Sequence, residues 1–256
     1  MFKGEPHLSR ARGAKAQRRQ AQQFQHQVLE NTINFRPQAA PRPRPVELRP
    51  KSIGQERLIL SLLDDSNVIS VAIGPAGTGK SYLAMLAAIR ALKQGDCERI
   101  VLTRPAVGVD DEKHGFLPGD LNAKMEPWTR PLLDILREYY HPREIAKMLE
   151  DQIIEISPLA FMRGRTFKNA WIVADEMQNA TPSQMKMLLT RIGQGSRIAV
   201  TGDVEQADRT TANNGLLDLA VRLQQQGIEG LAVCHLDARD IQRHPMIGPV
   251  LALYQD

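Results

Sequence analysis

The sequence lacks the residue patterns of disulfide frameworks, zinc sites and membrane spans. Cys97 and Cys234 are its only cysteines among 256 residues. Neither is paired with histidines at metal-ligand spacing, so we expect two buried thiols in a reducing compartment and no zinc site. The longest apolar runs fall far short of the roughly 20 residues of a membrane span, and no apolar segment of a secretory signal follows the basic N-terminal residues. These absences predict a cytoplasmic protein without membrane association.

The excess of positive charge lies in the N-terminal fifth of the chain. Residues 1–50 contain ten Lys or Arg and three Glu, a net charge of +7, whereas the whole chain carries +4 and the remainder therefore −3. Residues 11–30 are rich in Gln, Arg and Ala and could form a helix, and prolines alternate with arginines over 37–50 as in a stiff linker. We predict a basic extension at residues 1–50, flexible or helical, and one globular domain at residues 51–256.

This extension has two interpretations. A cationic arm gains affinity for RNA or DNA because binding releases the counterions of the phosphate backbone. A solvated tail would instead aid solubility or mediate assembly. The composition favours neither over the other.

The most informative stretch is GPAGTGKS at residues 74–81, which matches the P-loop pattern G-x-x-x-x-G-K-[ST] at every fixed position. A short, β-branched, apolar run precedes it at 68–73, and strong helix formers follow it at 82–93. A P-loop lies between a strand and a helix, so this context supports nucleotide binding over an accidental glycine-rich turn. The predicted nucleotide-binding residues are Gly74, Pro75, Ala76, Gly77, Thr78, Gly79, Lys80, Ser81 and Tyr82.

The residue types of this loop predict ATP and Mg²⁺ as cofactors. Glycines let the backbone N–H groups converge on a phosphate, and the N-terminus of the following helix adds partial positive charge. We expect Lys80 to reach the β- and γ-phosphates and the hydroxyl of Ser81 to bind Mg²⁺.

A second motif is the apolar run Ala170-Trp171-Ile172-Val173-Ala174 followed by Asp175 and Glu176. A buried strand that ends in Asp-Glu is typical of a Walker B site, because the carboxyl ends of parallel strands open at the nucleotide. We expect Asp175 to hold Mg²⁺ and Glu176 to orient and deprotonate the attacking water.

Two glutamines are further candidates. Gln55 lies about twenty residues before the P-loop, where a glutamine reads the adenine edge in many nucleotide-driven motors; an ordinary surface glutamine is the alternative. Gln206 follows the predicted strand 197–203, and we expect it to sense the γ-phosphate, with Asp203 coupled to it.

Several arginines are candidates for contact with the nucleotide. Arg191 lies near the end of a predicted helix that begins at Thr181, and it could act as an arginine finger or simply stabilise the helix C-terminus. Arg239 and Arg243 follow the last predicted strand, 230–236, from which an arginine commonly reaches the nucleotide. Arg104 ends the predicted strand 99–103 and could meet a ligand or a nucleic-acid backbone.

The alternation of strands and helices predicts an α/β fold, a three-layer αβα P-loop NTPase (RecA-like) with a mainly parallel central sheet. Residues 107–150 interrupt this alternation with prolines, glycines and an amphipathic helix near 128–140. We interpret them as an inserted helical segment that forms a substrate surface or a subunit interface.

The chain resembles the PhoH family of P-loop ATPases over about residues 50–255. The resemblance rests on GPAGTGKS, TRPAVG, GFLPGDLNAKMEPW, FMRGRTF, ADEMQNATPSQMKMLLTRIG, VTGDVEQAD and RHP. It implies a core similar to that of superfamily 1 helicases, with TGDVEQ in the role of helicase motif III. It also implies an association with phosphate starvation and RNA metabolism, and the family occurs widely in bacteriophages. Met177 departs from the expected DEAQN form.

We therefore expect an Mg²⁺-dependent ATPase coupled to single-stranded RNA or DNA. RNA or DNA helicase activity is a further possibility that this function allows. Superfamily 1 helicases close two lobes on one nucleotide, and this chain has room for one. We accordingly expect a homo-oligomer, favouring a hexameric ring, in which Arg191, Arg239 or Arg243 acts on a neighbour's nucleotide. The alternatives are a P-loop small-molecule kinase, against which Glu176 argues, and a nucleotide-gated assembly protein with little hydrolysis.

Overall fold

The computed structural model describes residues 45–105, 130–206, 214–243 and Met246. Its centre is a six-stranded sheet in which every pair of neighbouring strands is parallel, in the order β3-β2-β4-β5-β1-β6. The strands are β1 (Ile69–Ile73), β2 (Arg99–Thr103), β3 (Ile154–Ile156), β4 (Ala170–Ala174), β5 (Arg197–Gly202) and β6 (Leu231–His235).

Helices connect most of these strands, with two described helices between β2 and β3 and only a 3-10 turn between β3 and β4. They are α1 (Ile53–Leu63), α2 (Lys80–Gln94), α3 (residues 130–137), α4 (Pro142–Glu150), α5 (Pro182–Leu189) and α6 (Gly215–Gln225). Short 3-10 turns occupy Leu159–Met162, Met177–Asn179, Val204–Gln206 and Ala238–Asp240.

The helices cover both faces of the sheet, as the side chains of β4 show. Trp171 and Val173 pack in one apolar cluster, with residues of α1, α2, α3 and α4. Ile172 and Ala174, which alternate with them, pack in a second cluster with residues of α5 and α6. Successive residues of a strand point to opposite faces, so a strand buried on both sides is apolar throughout. The predicted α/β class with three αβα layers is confirmed, and the described sheet is entirely parallel.

Local signals fixed several helix ends. The side chain of Ser52 accepts a hydrogen bond from the backbone N–H of Gln55 and caps α1. Thr181 and Gln184 form a reciprocal capping box at the start of α5, with Pro182 at the first helical position. The start of α5 at Thr181 agrees with the prediction from sequence.

The predicted linker and insertion pack more closely onto the domain than their composition indicates. Val46 and Leu48 contact the first apolar cluster. Leu132 and Leu136 of α3 and Ile145 of α4 are buried in the same cluster. The described part of the insertion therefore contributes to the main core. The sequence that follows Pro245 predicts an apolar helix ending near Tyr254. This helix, the remainder of the insertion and most of the extension lie outside the described residues.

The two cysteines differ in environment. Cys97 is buried, and burial raises the pKa of its thiol to about 11. Cys234 is only half-buried, so the expectation of two buried thiols is correct for Cys97 alone. In the ranges that the structure describes, no helix is long and apolar enough to cross a membrane.

Candidate nucleotide-binding site

Three turns meet at the carboxyl edge of the sheet. The P-loop follows β1, Asp175 and Glu176 follow β4, and Asp203 follows β5, which lies between β1 and β4. Parallel strands end at the same edge, so side chains far apart in sequence face one cleft. The cleft is lined by Ala76, Gly77, Gly79, Lys80, Ser81, Tyr82, Asp175, Glu176, Gly202, Asp203 and Gln206.

The P-loop has the backbone that its glycines predict. Gly77 and Gly79 have φ values of 85° and 84°, in the left-handed region that favours glycine. Gly79 is the N-cap of α2, so the unpaired N–H groups of the first helical turn open on the cleft. This arrangement can bind an anion through the backbone and the helix dipole together.

Lys80 lies within the loop rather than in solvent. Its Nζ donates to the backbone oxygens of Gly74 and Pro75, at 2.6 and 2.8 Å. Burial lowers the pKa of Lys80, although the negative charges of Asp203, Glu176 and Asp175 act in the opposite direction and raise it. The ammonium group is therefore placed at the base of the cleft, where a phosphate held by the loop would meet it.

Ser81 and Asp175 form a pair of oxygen ligands suited to Mg²⁺. Ser81 Oγ donates to Asp175 Oδ1 at 2.6 Å, and Thr201 Oγ1 donates to the same oxygen at 2.5 Å. Mg²⁺ prefers hard oxygen donors, and it commonly binds through one or two carboxylates together with phosphates and waters. The residues present therefore fit the ion. Sequence reasoning missed Thr201, although a hydroxyl at the end of an otherwise apolar strand was the available signal.

Glu176 is held in an unusual backbone conformation at the mouth of the cleft. Its φ of 55° lies in the left-handed region, which costs a non-glycine residue about 1–2 kcal/mol. Gln178 Nε2 donates to Glu176 Oε2 at 2.6 Å, and Arg104 lies 3.8 Å from Oε1. The carboxylate thus faces the cleft with both oxygens next to donors.

The turn after β5 lines the cleft between the P-loop and the turn after β4. Asp203 is buried, and its backbone N–H donates to Gln178 Oε1 at 3.1 Å. The backbone N–H of Gln206 donates to the carbonyl of Asp203 at 3.1 Å, and the exposed Gln206 lines the cleft. The coupling of Gln206 to Asp203 and the role of Gln206 at the γ-phosphate both stay predictions.

Gln55 lies beneath the P-loop. It is buried, its Nε2 donates to the carbonyl of Thr78 at 2.9 Å, and its Oε1 accepts from the backbone N–H of Lys51 at 2.9 Å. Both ends of the amide therefore already contact the protein, and this residue supports the loop from α1. Adenine recognition by Gln55 stays a prediction.

Tyr82, on the first turn of α2, also lines the cleft. Its hydroxyl donates to Glu138 at 3.3 Å. Burial and the neighbouring Tyr139 and Glu138 raise the pKa of Tyr82 to about 12. Its contact with a nucleotide stays a prediction.

Among the predicted arginines, Arg243 lies against the P-loop of its own chain. A Cβ at Gly77 would overlap Arg243 Nε and lie 2.9 Å from its Cγ. The backbone N–H of Gln242 donates to the carbonyl of Gly77 at 2.8 Å, which fixes this segment to the loop. Asp240 anchors the same segment by accepting a hydrogen bond at 3.1 Å from the N–H of Gly54 in α1. No motif in the sequence signalled this anchor.

The other arginines have local partners. Arg191 donates to the carbonyls of Met187 and Arg165, both at 3.1 Å. Arg239 pairs with Asp237, and Arg165 pairs with Glu155 through both terminal nitrogens. Neither Arg191 nor Arg239 lines the cleft of its own chain.

Comparison with known proteins identifies a family. The family model described as PhoH-like protein matches residues 47–255. A PhoH-like protein of Synechocystis is 42% identical over 91% of this chain and 68% of its own length. A PhoH-like protein of Bacillus subtilis is 44% identical over 81% and 64%, and Protein PhoH of Escherichia coli K12 is 39% identical over 65% and 48%. The chain thus spans about half to two thirds of these relatives' length.

Similarity to solved structures is weaker than the similarity to these relatives. A Sulfolobus solfataricus SWI2/SNF2 ATPase core in complex with dsDNA has a TM-score of 0.39 at 17% identity, covering 64% of this chain and 34% of that one. The Pif1 helicase from Candida albicans has a TM-score of 0.37 at 16% identity, covering 79% and 43%. Neither carries a functional argument.

Proposed function

The chain belongs to the PhoH-like protein family, and on that premise we propose that it is an Mg²⁺-dependent ATPase. The observation that carries this proposal is the convergence of Lys80, the Ser81–Asp175 pair and Glu176 on one cleft. These groups supply a phosphate cradle, a metal site and a base. They come from the ends of two strands that β5 separates.

The chemistry follows from these positions. The loop N–H groups and the Lys80 ammonium would bind the β- and γ-phosphates and orient the terminal phosphoryl group. Ser81 and Asp175 would hold Mg²⁺, which supplies charge neutralisation when bound. Glu176 would align a water and accept its proton as the water oxygen attacks the γ-phosphorus, while the bond from that phosphorus to the β-phosphate oxygen breaks and ADP leaves. Arg243, which lies against Gly77, would add positive charge near the phosphates in cis.

Hydrolysis in place of phosphoryl transfer is favoured by Glu176. Its carboxylate is exposed enough to meet a water, with 37% of the side chain accessible, and it lies at the mouth of the cleft. A small-molecule kinase has no need of a carboxylate fixed to activate water. Phosphate transfer to an added metabolite would be the result that favours a kinase.

We further propose that single-stranded RNA or DNA is coupled to this ATPase. The net charge of +7 over residues 1–50 supports attraction to a phosphate backbone. Arg104 is half-buried just after β2 and lies 3.8 Å from the Glu176 carboxylate, so it could connect a bound RNA or DNA strand to that carboxylate. A homo-oligomer, with a hexameric ring favoured, is proposed because Arg191 does not line its own cleft and could complete a neighbour's.

The test is the rate of phosphate release from ATP by the full chain. Wild type is assayed with and without EDTA, with and without single-stranded RNA and DNA, beside the variant Lys80→Ala. We expect hydrolysis that needs Mg²⁺, that a polymer stimulates, and that Lys80→Ala abolishes. Hydrolysis that neither polymer stimulates would refute the coupling, whereas absence of hydrolysis despite ATP binding would refute the ATPase and favour a nucleotide-gated assembly protein.

A further inference from the structure

The side chain of Gln178 bridges two walls of the cleft. Its Nε2 donates to Glu176 Oε2 at 2.6 Å, on the turn after β4. Its Oε1 accepts from the backbone N–H of Asp203 at 3.1 Å, on the turn after β5. One amide group thus joins the Glu176 carboxylate to the turn that carries Asp203 and Gln206.

Burial fixes this bridge in a single orientation. Gln178 is 1% exposed, so its amide has little access to bulk water. The donor end faces a carboxylate and the acceptor end faces an N–H, which settles which end is nitrogen. A Cβ at Gly202 would lie 2.6 Å from Gln178 Oε1 and 2.5 Å from Leu216 Cδ2, so Gly202 leaves the space that the amide occupies.

We propose that Gln178 is a positioning residue, which orients the Glu176 carboxylate and couples it to the turn after β5; this inference rests on the proposed function. Glu176 has a left-handed backbone, so its side chain leaves the strand end in a direction that the chain alone does not favour. The charge-assisted bond from Gln178 holds the carboxylate in that direction. Arg104, at 3.8 Å from the other oxygen, is a weaker and more exposed restraint.

The geometry gives the bridge a second consequence. A phosphate that contacts the side chain of Gln206 would act on the same turn whose N–H binds Gln178. A shift of that turn moves the acceptor end of the amide and, through its donor end, the carboxylate. Gln178 therefore links occupancy of the phosphate side of the cleft to the placement of the base, without itself contacting the reacting atoms.

Two substitutions separate the two ends of the bridge. Gln178→Met keeps the length of the side chain and removes both hydrogen bonds. Gln178→Glu keeps an acceptor for the N–H of Asp203 but places a second carboxylate against Glu176 and removes the donor. Gln224→Met and Gln224→Glu, on the exposed face of α6, are matched controls.

The measurements are kcat for ATP hydrolysis, the dissociation constant of a fluorescent ATP analogue, and Tm, all on the full chain. Both Gln178 variants are expected to lose roughly 10- to 100-fold in kcat while the dissociation constant changes less than about threefold. The Gln224 variants should match wild type. If Gln178→Met does not fold, Gln178→Glu, which keeps the bond to β5, carries the test.

Two results would overturn the inference. Wild-type kcat in Gln178→Glu would show that only the contact with Asp203 matters. A dissociation constant that weakens by the same factor as kcat falls would show a general structural role. Either result leaves wild-type hydrolysis intact, whereas failure of the proposed function would show as a wild type that binds ATP without hydrolysing it.

Discussion

Gly77→Ala is the substitution that most directly probes the contact between the P-loop and Arg243. Gly77 has φ of 85°, where an alanine costs about 1–2 kcal/mol, which lowers Tm by about 2–8 °C in a domain of roughly this size. The new Cβ would also overlap Arg243 Nε. Because the far end of that side chain can move, displacing it adds little to the loss of stability. The displacement does, however, move the positive charge of Arg243 away from the P-loop.

Affinity for nucleotide should therefore fall beyond what stability explains. We expect Gly77→Ala to weaken binding of a fluorescent ATP analogue by about tenfold, equivalent to about 1.4 kcal/mol. Gly95→Ala is the matched control, because Gly95 has φ of 80° at the far end of α2 and a Cβ there would contact nothing within 4 Å. It should lose similar stability and keep wild-type affinity. Equal affinities in the two variants, measured below both Tm values, would show that the position of Arg243 beside Gly77 does not affect nucleotide binding.

Three further predictions follow from buried groups away from the P-loop backbone. Thr201→Val removes a donor to Asp175 and should raise the Mg²⁺ concentration for half-maximal hydrolysis by roughly tenfold; an unchanged Mg²⁺ titration would contradict this role. Burial raises the pKa of Cys97 from 9.0 to about 11, so the stability contributed by the neutral thiol is complete below pH 9 and is lost as the pH rises towards 11. Wild-type Tm should accordingly fall more steeply over that range than the Tm of Cys97→Ala, and parallel curves would argue against a buried thiol. Asp240→Asn should cost about 1–3 kcal/mol in the free energy of unfolding, because the carboxylate accepts from the N–H groups of Gly54 and Asp237. Burial raises the pKa of Asp240, but hydrogen bonds from Ser52, Asp237 and Gly54 outweigh it and hold the pKa below its ordinary value of 3.8. The difference in Tm between wild type and Asp240→Asn should therefore shrink as the pH falls below that value. A difference in Tm that is constant with pH would exclude a role for the charge.

The parts of the site that were predictable from sequence are those encoded by short local patterns. The P-loop and the Asp175–Glu176 pair each follow an apolar strand directly, so spacing and strand order place them at one edge. The caps at Ser52 and Thr181 depend on residues three positions apart. The alternation of uniformly apolar strand segments with helical segments predicted the three layers, because strands buried on both faces are apolar throughout.

The parts that were not predictable depend on contacts between residues distant in sequence. Thr201 meets Asp175, and Asp240 meets Gly54 across 186 positions, only after the sheet order is known. The bridge formed by Gln178 likewise requires β4 and β5 to be neighbours. The hydrogen bond from Gln55 to the carbonyl of Thr78 also could not be predicted from the distance between Gln55 and the loop in sequence.

Glu176 is proposed to activate water in this cleft, and wild type is compared with Glu176→Gln to test that role. The substitution keeps the size of the side chain and removes the base. Release of labelled phosphate from ATP is measured beside the dissociation constant of the same nucleotide in the presence of Mg²⁺. We predict hydrolysis reduced by roughly 100-fold or more with binding unchanged. Hydrolysis at the wild-type rate in Glu176→Gln would contradict the account.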